Sequence, residues 1–371
     1  MNMFCYQCQE TARGKGCEIQ GVCGKKPETS ARMDQLLFIA RGMAIVNRQL
    51  RENGKPDPEA SRFIIDALFT TITNADFDNE MLDEYLTRGI RLKNELIGTA
   101  KKRGLEPPSM PEVFFHIPES QYGCLEVVAH GGTLADEMFS VLNEKVEDIR
   151  GLKQLAIYGC KGMAAYARHA LNLGFEDDDV YAIIEDALAE VSRRDIDANT
   201  LLSLVLNVGE GGVKAMALLD KANTSVYGQP EMTKVNIGTG KRPGILVSGH
   251  DLKDLEELLE QSAGKGVDIY THSEMLPAHA YPFFKKYPHF AGNYGNAWWK
   301  QIDEFETFNG MFLLHPIASF LPAPRPHTWT GFIPPAWWVC RGHTIFQPTR
   351  MERRTSPKSS NAPRSANRPQ R

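Results

Sequence analysis

From residue 28 to about 225, apolar residues recur at spacings of three and four, the period of helices that bury one face. In "PETSARMDQLLFIARGMAIVNRQL", Met33, Leu36, Leu37, Ala40, Met43 and Ala44 share a face, and Thr29 or Ser30 is the expected N-cap. Similar stripes run through "PEASRFIIDALFTTI", "DNEMLDEYLTRGIRLKNELIGTAKKRG", "TLADEMFSVLNEKVEDI", "VYAIIEDALAEVSRR" and "NTLLSLVLNVGEGGVKAMALLDKAN". So many stripes joined by short turns read as helical bundles. After residue 240 the period changes. "RPGILVSGH" is a short apolar run, "DLKDLEELLEQSAGKG" a helix with a glycine stop, and "VDIYTHSE" a second apolar run. Strand, helix and strand in this order make a βαβ unit and open a parallel sheet.

From Met311 onward neither period persists. This stretch holds ten prolines, nine Lys or Arg and a single acidic residue, Glu352, a composition that cannot bury a stripe. Its bland reading is a sequence not selected to fold, and its functional reading is a basic tail for an acidic partner. The expected fold class is therefore multidomain, α and α/β: N-terminal helical bundles followed by an incomplete, Rossmann-like parallel α/β domain. The expected units are a cysteine segment at 1–27, helical bundles at 28–225, a partial α/β domain at 226–310 and an aberrant Pro/Arg-rich tail at 311–371.

Composition narrows the class of protein. At 371 residues, with 42% hydrophobic and 24% charged residues, the chain is ordinary for globular domains with more than one core. A net charge of −4 gives no sign of a nucleic-acid partner. Cysteines and charges occupy the N-terminus where a leader would need an apolar run, and no run of 18 apolar residues occurs. The expectation is a cytoplasmic protein with no membrane partner. A reducing cytosol makes disulfides an improbable use for the thiols.

Those thiols are clustered. "CYQCQETARGKGCEIQGVC" holds four of the seven cysteines, spaced Cys5-x2-Cys8-x8-Cys17-x5-Cys23. Three uses compete on spacing alone. An iron–sulfur cluster tolerates one tight pair and two looser ligands; structural zinc usually pairs two C-x2-C knuckles; unrelated redox thiols are the third. Gly14, Gly16, Gly21 and Gly24 would let the backbone wrap closely around a bound body. Far downstream, His250 and Glu274 each follow one of the two expected parallel strands, where open α/β sheets bind ligands. Their bland alternative is a helix-capping network at a βα turn.

"MFCYQCQETARGKGCEIQGVCGK" closely resembles the opening of the hybrid-cluster proteins, also called prismane proteins or hydroxylamine reductases. The resemblance returns at "GHDLKDLEELLEQ", "YTHSEMLPAHAYPFFKKYPHF" and "GNYGNAWWKQ", and covers about residues 3 to 310. It implies that Cys5, Cys8, Cys17 and Cys23 hold a [4Fe-4S] cubane. It also implies that His250 and Glu274 are ligands of a second, Fe–S–O hybrid cluster, [4Fe-2O-2S], and thus catalytic residues. The activity implied is reduction of hydroxylamine, with nitric oxide as the alternative substrate and a redox protein as electron donor.

The resemblance breaks downstream. After "FNG" the family's next cysteine position is occupied by Ala318, and Cys340 falls in no family motif. The break reads as a truncation or frameshift after about residue 310, which would leave the cubane site complete and the hybrid-cluster site short of ligands. A second class of function therefore stands beside the enzyme: a non-catalytic [4Fe-4S]- or zinc-binding helical protein. Among weaker candidates, "NVGEGGVK" reads as a helix turn rather than a phosphate loop, and Cys124 and Cys160 as buried thiols. His272, His279 and His289 read as structural, the first two flanking Glu274 closely enough to orient it. Trp298 and Trp299 read as core or interface aromatics.

Overall fold

A computed structural model describes residues 3–8, 11–72, 77–123, 141–308 and 310–314. Helices α1 (Pro27–Glu52), α2 (Pro58–Ile72), α3 (Asn79–Lys102), the single turn α4 (Pro111–Phe114), α5 (Glu147–Asn172), α6 (Asp178–Val191) and α7 (Ala198–Tyr227) come first. Helix α1 packs against α2, α3, α4 and α6, and α5 against α2, α6 and α7. One continuous core results. Met33, Leu36, Ile39 and Met43 of α1 meet Phe63 and Leu68 of α2, Met163 of α5 and Ile184 of α6 within it.

Helix α1 begins earlier than its polar residues suggest. Pro27 takes the first helical position, where no N–H is required, and Lys26 precedes it without a side-chain cap. Thr29 and Ser30 are therefore buried first-turn residues rather than caps, and the Thr29 hydroxyl donates to Asn79 Oδ1 at 2.8 Å. The stripe expected over 133–149 also needs correction. Residues 133–140 lie outside the described residues, Val141–Asn143 form only a short 3-10 turn, and a new helix starts at Glu147. That helix, α5, is the one the hydrophobic pattern misses. Its buried face is built largely from Ala156, Cys160, Ala164, Ala167 and Ala170, which leave no stripe of large residues.

Helix α7 runs unbroken through "NVGEGGVK", so those glycines sit in a helix and form no phosphate loop. A Cβ on Gly211 would lie 2.6 Å from Met163 Cε and 2.8 Å from Ile183 Cγ2, so the bare position sets how closely α7 approaches its neighbours. By length and composition α7 could cross a bilayer. Here it packs one face, Leu201, Leu204, Val208 and Ala215 among it, into the helical core.

The chain then forms β1 (Gly244–Ser248), α8 (Leu252–Ser262), β2 (Asp268–His272), β3 (Phe290–Asn293), α9 (Gln301–Thr307) and β4 (Gly310–Leu314). Among the described residues the four strands lie in the order β3-β2-β1-β4, all parallel. Every residue of β1 and β2 is buried, which is why both read as continuous apolar runs rather than alternating ones. Strand β4 corrects the expected boundary. It pairs with β1 from Gly244↔Gly310 to Ser248↔Leu314, so ordered α/β structure continues through residue 314 and past 310. Ala318, Cys340 and the rest of the Pro/Arg-rich stretch lie outside the described residues, as does Cys124.

Tyr227, at the end of α7, donates its hydroxyl to Glu256 Oε2 of α8 at 3.1 Å, and Asp251 makes a second tie between the helical and α/β parts. Asp251 caps α8 by accepting from the backbone N–H groups of Lys253 and Asp254, and its other oxygen accepts from Asn172 Nδ2 at 2.8 Å at the end of α5.

Candidate metal centres

Two of the four N-terminal cysteines, Cys5 and Cys17, are brought together by a short antiparallel bridge. Cys5 N–H donates to Cys17 O at 2.9 Å and Cys17 N–H returns the bond to Cys5 O at 3.0 Å. Both are buried, whereas Cys8 and Cys23 keep some surface; none of the four is in a disulfide. The Cys17 sulfur accepts the Ala12 N–H at 3.4 Å, a donor aimed at sulfur. Gly21 leaves room for another thiol, since a Cβ there would stand 3.0 Å from Cys23 Sγ and 2.9 Å from Lys25 Cβ.

Helix α5 holds this loop from below with two side chains one turn apart. The Tyr158 hydroxyl donates to the carbonyls of Tyr6 at 3.0 Å and Cys8 at 3.4 Å. Lys161 Nζ donates to the carbonyl of Gln7 at 3.0 Å and to its Oε1 at 2.5 Å. Three consecutive carbonyls around Cys8 are thus fixed to one rigid element. From α1, Asp34 accepts from the Gln7 side-chain amide. Lys25 is buried too, and points its ammonium at the Met33 thioether, 2.9 Å away.

Burial distorts the acid–base chemistry here. It pushes Lys161 down to about 7, helped by the nearby Lys25. It pushes Asp34, enclosed by protein although part of its surface remains open, up to about 7 against the lowering effects of Gln7, Lys161 and Lys25. A buried ammonium, Lys161, within electrostatic reach of Cys5 and Cys8 suits an anionic thiolate-bound body. The four cysteines, the N–H···S contact at Cys17 and the gap at Gly21 suit the chemistry of a thiolate-bound iron–sulfur cluster, while among the described residues no three of these thiols gather around a single-ion position. Sequence reading alone gave no sign of Tyr158, Lys161, Gln7 or Asp34 as parts of this site.

The second candidate pair meets in space. Ser248 and His272 are register partners at the ends of β1 and β2, and His250 and Glu274 each lie two residues beyond. His250 Nε2 contacts Glu274 Oε2 directly, with both side chains partly exposed. His250 Nδ1 is buried without a hydrogen-bond partner. Ser273, between His272 and Glu274, holds φ 54, a left-handed conformation uncommon for serine, at the turn from β2 into the segment that carries Glu274. Among the described residues no group of three or more His, Cys, Asp or Glu gathers around a single-ion position. His250 and Glu274 thus supply two donors of the kind a harder iron accepts, and no more within that part of the chain.

The neighbouring histidines have other tasks. His272 is fully buried and spends Nδ1 on Ser248 Oγ at 3.0 Å and Nε2 on Glu304 Oε2 at 2.9 Å. His279 stacks on Phe290 at 3.9 Å and bonds the Thr271 hydroxyl through Nε2 at 3.0 Å. Neither is placed to orient Glu274 through these bonds, contrary to expectation. His289 Nε2 lies against Ser262 Oγ and Leu259 O at the end of α8. Cys160 is a buried thiol in α5 whose pKa burial pushes up to about 12. Trp298 is half-buried and Trp299 is 66% exposed, so neither is a core residue.

The model of the Prismane/CO dehydrogenase family matches residues 3–315. A hydroxylamine reductase of Bacteroides fragilis (strain YCH46) is 51% identical over 331 residues, covering 88% of this chain and 57% of that protein. Those of Bacteroides thetaiotaomicron and Thermoanaerobacter pseudethanolicus are 53% and 49% identical, covering 84% and 85% of this chain and 55% and 56% of theirs. The chain thus spans somewhat more than half the length of the curated relatives it matches. Carbon Monoxide Dehydrogenase IV from Carboxydothermus hydrogenoformans, with a TM-score of 0.25 and 12% identity over 84% of this chain and 45% of that one, is too distant to carry an argument.

Proposed function

Because the chain belongs to the Prismane/CO dehydrogenase family, we propose that it acts as a hydroxylamine reductase. The reaction is NH2OH + 2e− + 2H+ → NH3 + H2O, with nitric oxide as an alternative substrate. Cys5, Cys8, Cys17 and Cys23 would hold a [4Fe-4S] cluster, and His250 and Glu274 would contribute to a hybrid [4Fe-2O-2S] cluster. When bound, these groups supply electrons and an iron able to act as a Lewis acid on an N–O bond. The observation that carries the enzymatic reading is the contact of His250 with Glu274 at the carboxyl ends of adjacent parallel strands. We further propose a cytoplasmic protein that draws electrons from a redox partner and uses neither nucleic acid nor membrane.

The chain's own part lies in holding and orienting. Helix α5 fixes the loop around Cys8, and the left-handed turn at Ser273 leads from β2 into the segment that carries Glu274. A second reading, a non-catalytic [4Fe-4S]- or zinc-binding protein, needs only the four-cysteine segment and not the His250–Glu274 pair. Anaerobic purification with iron, sulfide and zinc analysis, followed by an assay for hydroxylamine-dependent oxidation of a reduced dye, separates the two. Iron with dye oxidation supports the reductase. Iron or zinc without it supports the second reading, and zinc in place of iron rejects the cluster assignment. Cys8→Ser should lose the cubane's visible absorbance; retention would reject Cys8 as a ligand.

A further inference from the structure

We propose that Lys161 is a positioning residue for the four-cysteine centre: its buried ammonium balances the negative charge of the thiolate-bound cluster and so sets how readily that cluster is reduced. The inference rests on the iron–sulfur reading above.

Lys161 is 1% exposed, midway along α5. Both of its hydrogen bonds go to uncharged oxygens of Gln7, the residue immediately before the ligand Cys8. The acid in this network, Asp34, is reached only through the far side of the Gln7 amide and is itself driven toward its neutral form by burial. Lys25, the second buried ammonium, faces a thioether, which is a weak acceptor without charge. The protein alone therefore encloses two cations with little opposing charge, an arrangement that costs several kcal/mol per ion in general. Asp34 first, and then Cys5 and Cys8, lie close enough for their negative charge to favour the charged form of Lys161. Four thiolates around an iron–sulfur core carry a net negative charge that grows by one on reduction. A fixed positive charge in a poorly solvated place stabilises the reduced state more than the oxidised one.

The Met33 thioether and the Gln7 amide show why charge, rather than hydrogen bonding alone, is the relevant property. Glutamine at position 161 could still donate to the Gln7 carbonyl, and methionine could fill the same space. Neither could balance an anion.

The test uses the full chain, purified anaerobically, with Lys161→Met, Lys161→Gln and Lys161→Arg. Each is followed by circular dichroism, by iron and sulfide analysis and by a potentiometric titration of the visible absorbance. The expected result is a loaded cluster in both neutral variants, with the ratio of reduced to oxidised cluster at fixed potential lowered on the order of tenfold, 59 mV for a one-electron couple. Lys161→Arg should stay near the parent. Loss of the cluster from folded Met and Gln variants but not from Arg also supports a requirement for charge. Neutral variants that load fully and titrate at the parent potential overturn the proposal. Loss of the cluster from all three variants overturns it too, since shape and not charge would then be what matters. A parent chain that binds zinc or no iron rejects the underlying iron–sulfur reading instead, and is recognised by its metal content alone.

Discussion

Gly21→Ala should empty the cysteine site while leaving the helices intact. The new methyl would stand 2.9 Å from Lys25 Cβ, 3.0 Å from Cys23 Sγ and 3.1 Å from the Lys25 backbone nitrogen. Carbon atoms in contact rest at about 3.5–4.0 Å, so the methyl overlaps each neighbour by several tenths of an ångström. Rotating a side chain cannot relieve it, because one obstacle is backbone and another is a proposed ligand. Overpacking of this kind costs roughly 1–3 kcal/mol. If that cost falls on cluster retention rather than on the fold, affinity drops by roughly five- to 150-fold. Gly21 has no left-handed backbone to lose, so the effect is steric. Gly14 offers the control. Its φ is +65 and a Cβ there meets nothing within 4 Å, so Gly14→Asn should be accommodated in the same loop. The assay is anaerobic reconstitution with iron and sulfide, read by visible absorbance and metal analysis beside far-ultraviolet circular dichroism. Full loading of Gly21→Ala, or equal loss in Gly14→Asn, would refute the reasoning that close approach at Cys23 is what the loop provides.

Two further outcomes test the scaffold. Asp251→Ala removes the α8 cap together with the Asn172 tie and should destabilise by about 1–2 kcal/mol, while Asp251→Asn should lose less; unchanged denaturant midpoints for both would count against the tie. Burial pushes His279 down to about 4 from an ordinary 6.5, so between these values the unfolded chain takes up a proton that the folded chain refuses. Stability from this residue is complete above pH 6.5 and should fall by about 1 kcal/mol per pH unit as pH drops toward 4; denaturant titrations in which His279→Gln keeps the same slope would show the assignment to be wrong.

The helical stripes and the βαβ unit could be read directly because large apolar residues mark their buried faces. Val247, Leu255, Leu258 and Ile269 lie where the pattern puts them. Helix α5 escaped the same reading because alanine and cysteine pack its face, and a small side chain signals burial only once its neighbours are known. That omission hid Tyr158 and Lys161, whose contacts with residues 6–8 span about 150 positions of sequence. The four cysteines are local and their spacing alone suggests a metal. His250 and Glu274 could be paired because each follows a strand end, whereas the bonds of His272 to Ser248 and Glu304 depend on side-chain directions no periodicity encodes. Strand β4 was missed for a simpler reason: its "GMFLL" run adjoins a stretch rich in proline, whose loss of period masked it.

Helix α5 also acts as a ruler. The eleven residues from Lys161, under the thiol loop, to Asn172, on the cap of α8, span about 16 Å of helical rise. Between these two anchors the spacing is set by peptide geometry rather than by a loop that could adjust. A one-residue insertion or deletion between them would shift one anchor by about 1.5 Å and turn it by about 100° relative to the other, so the cysteine loop and the α8 end could not both keep their places.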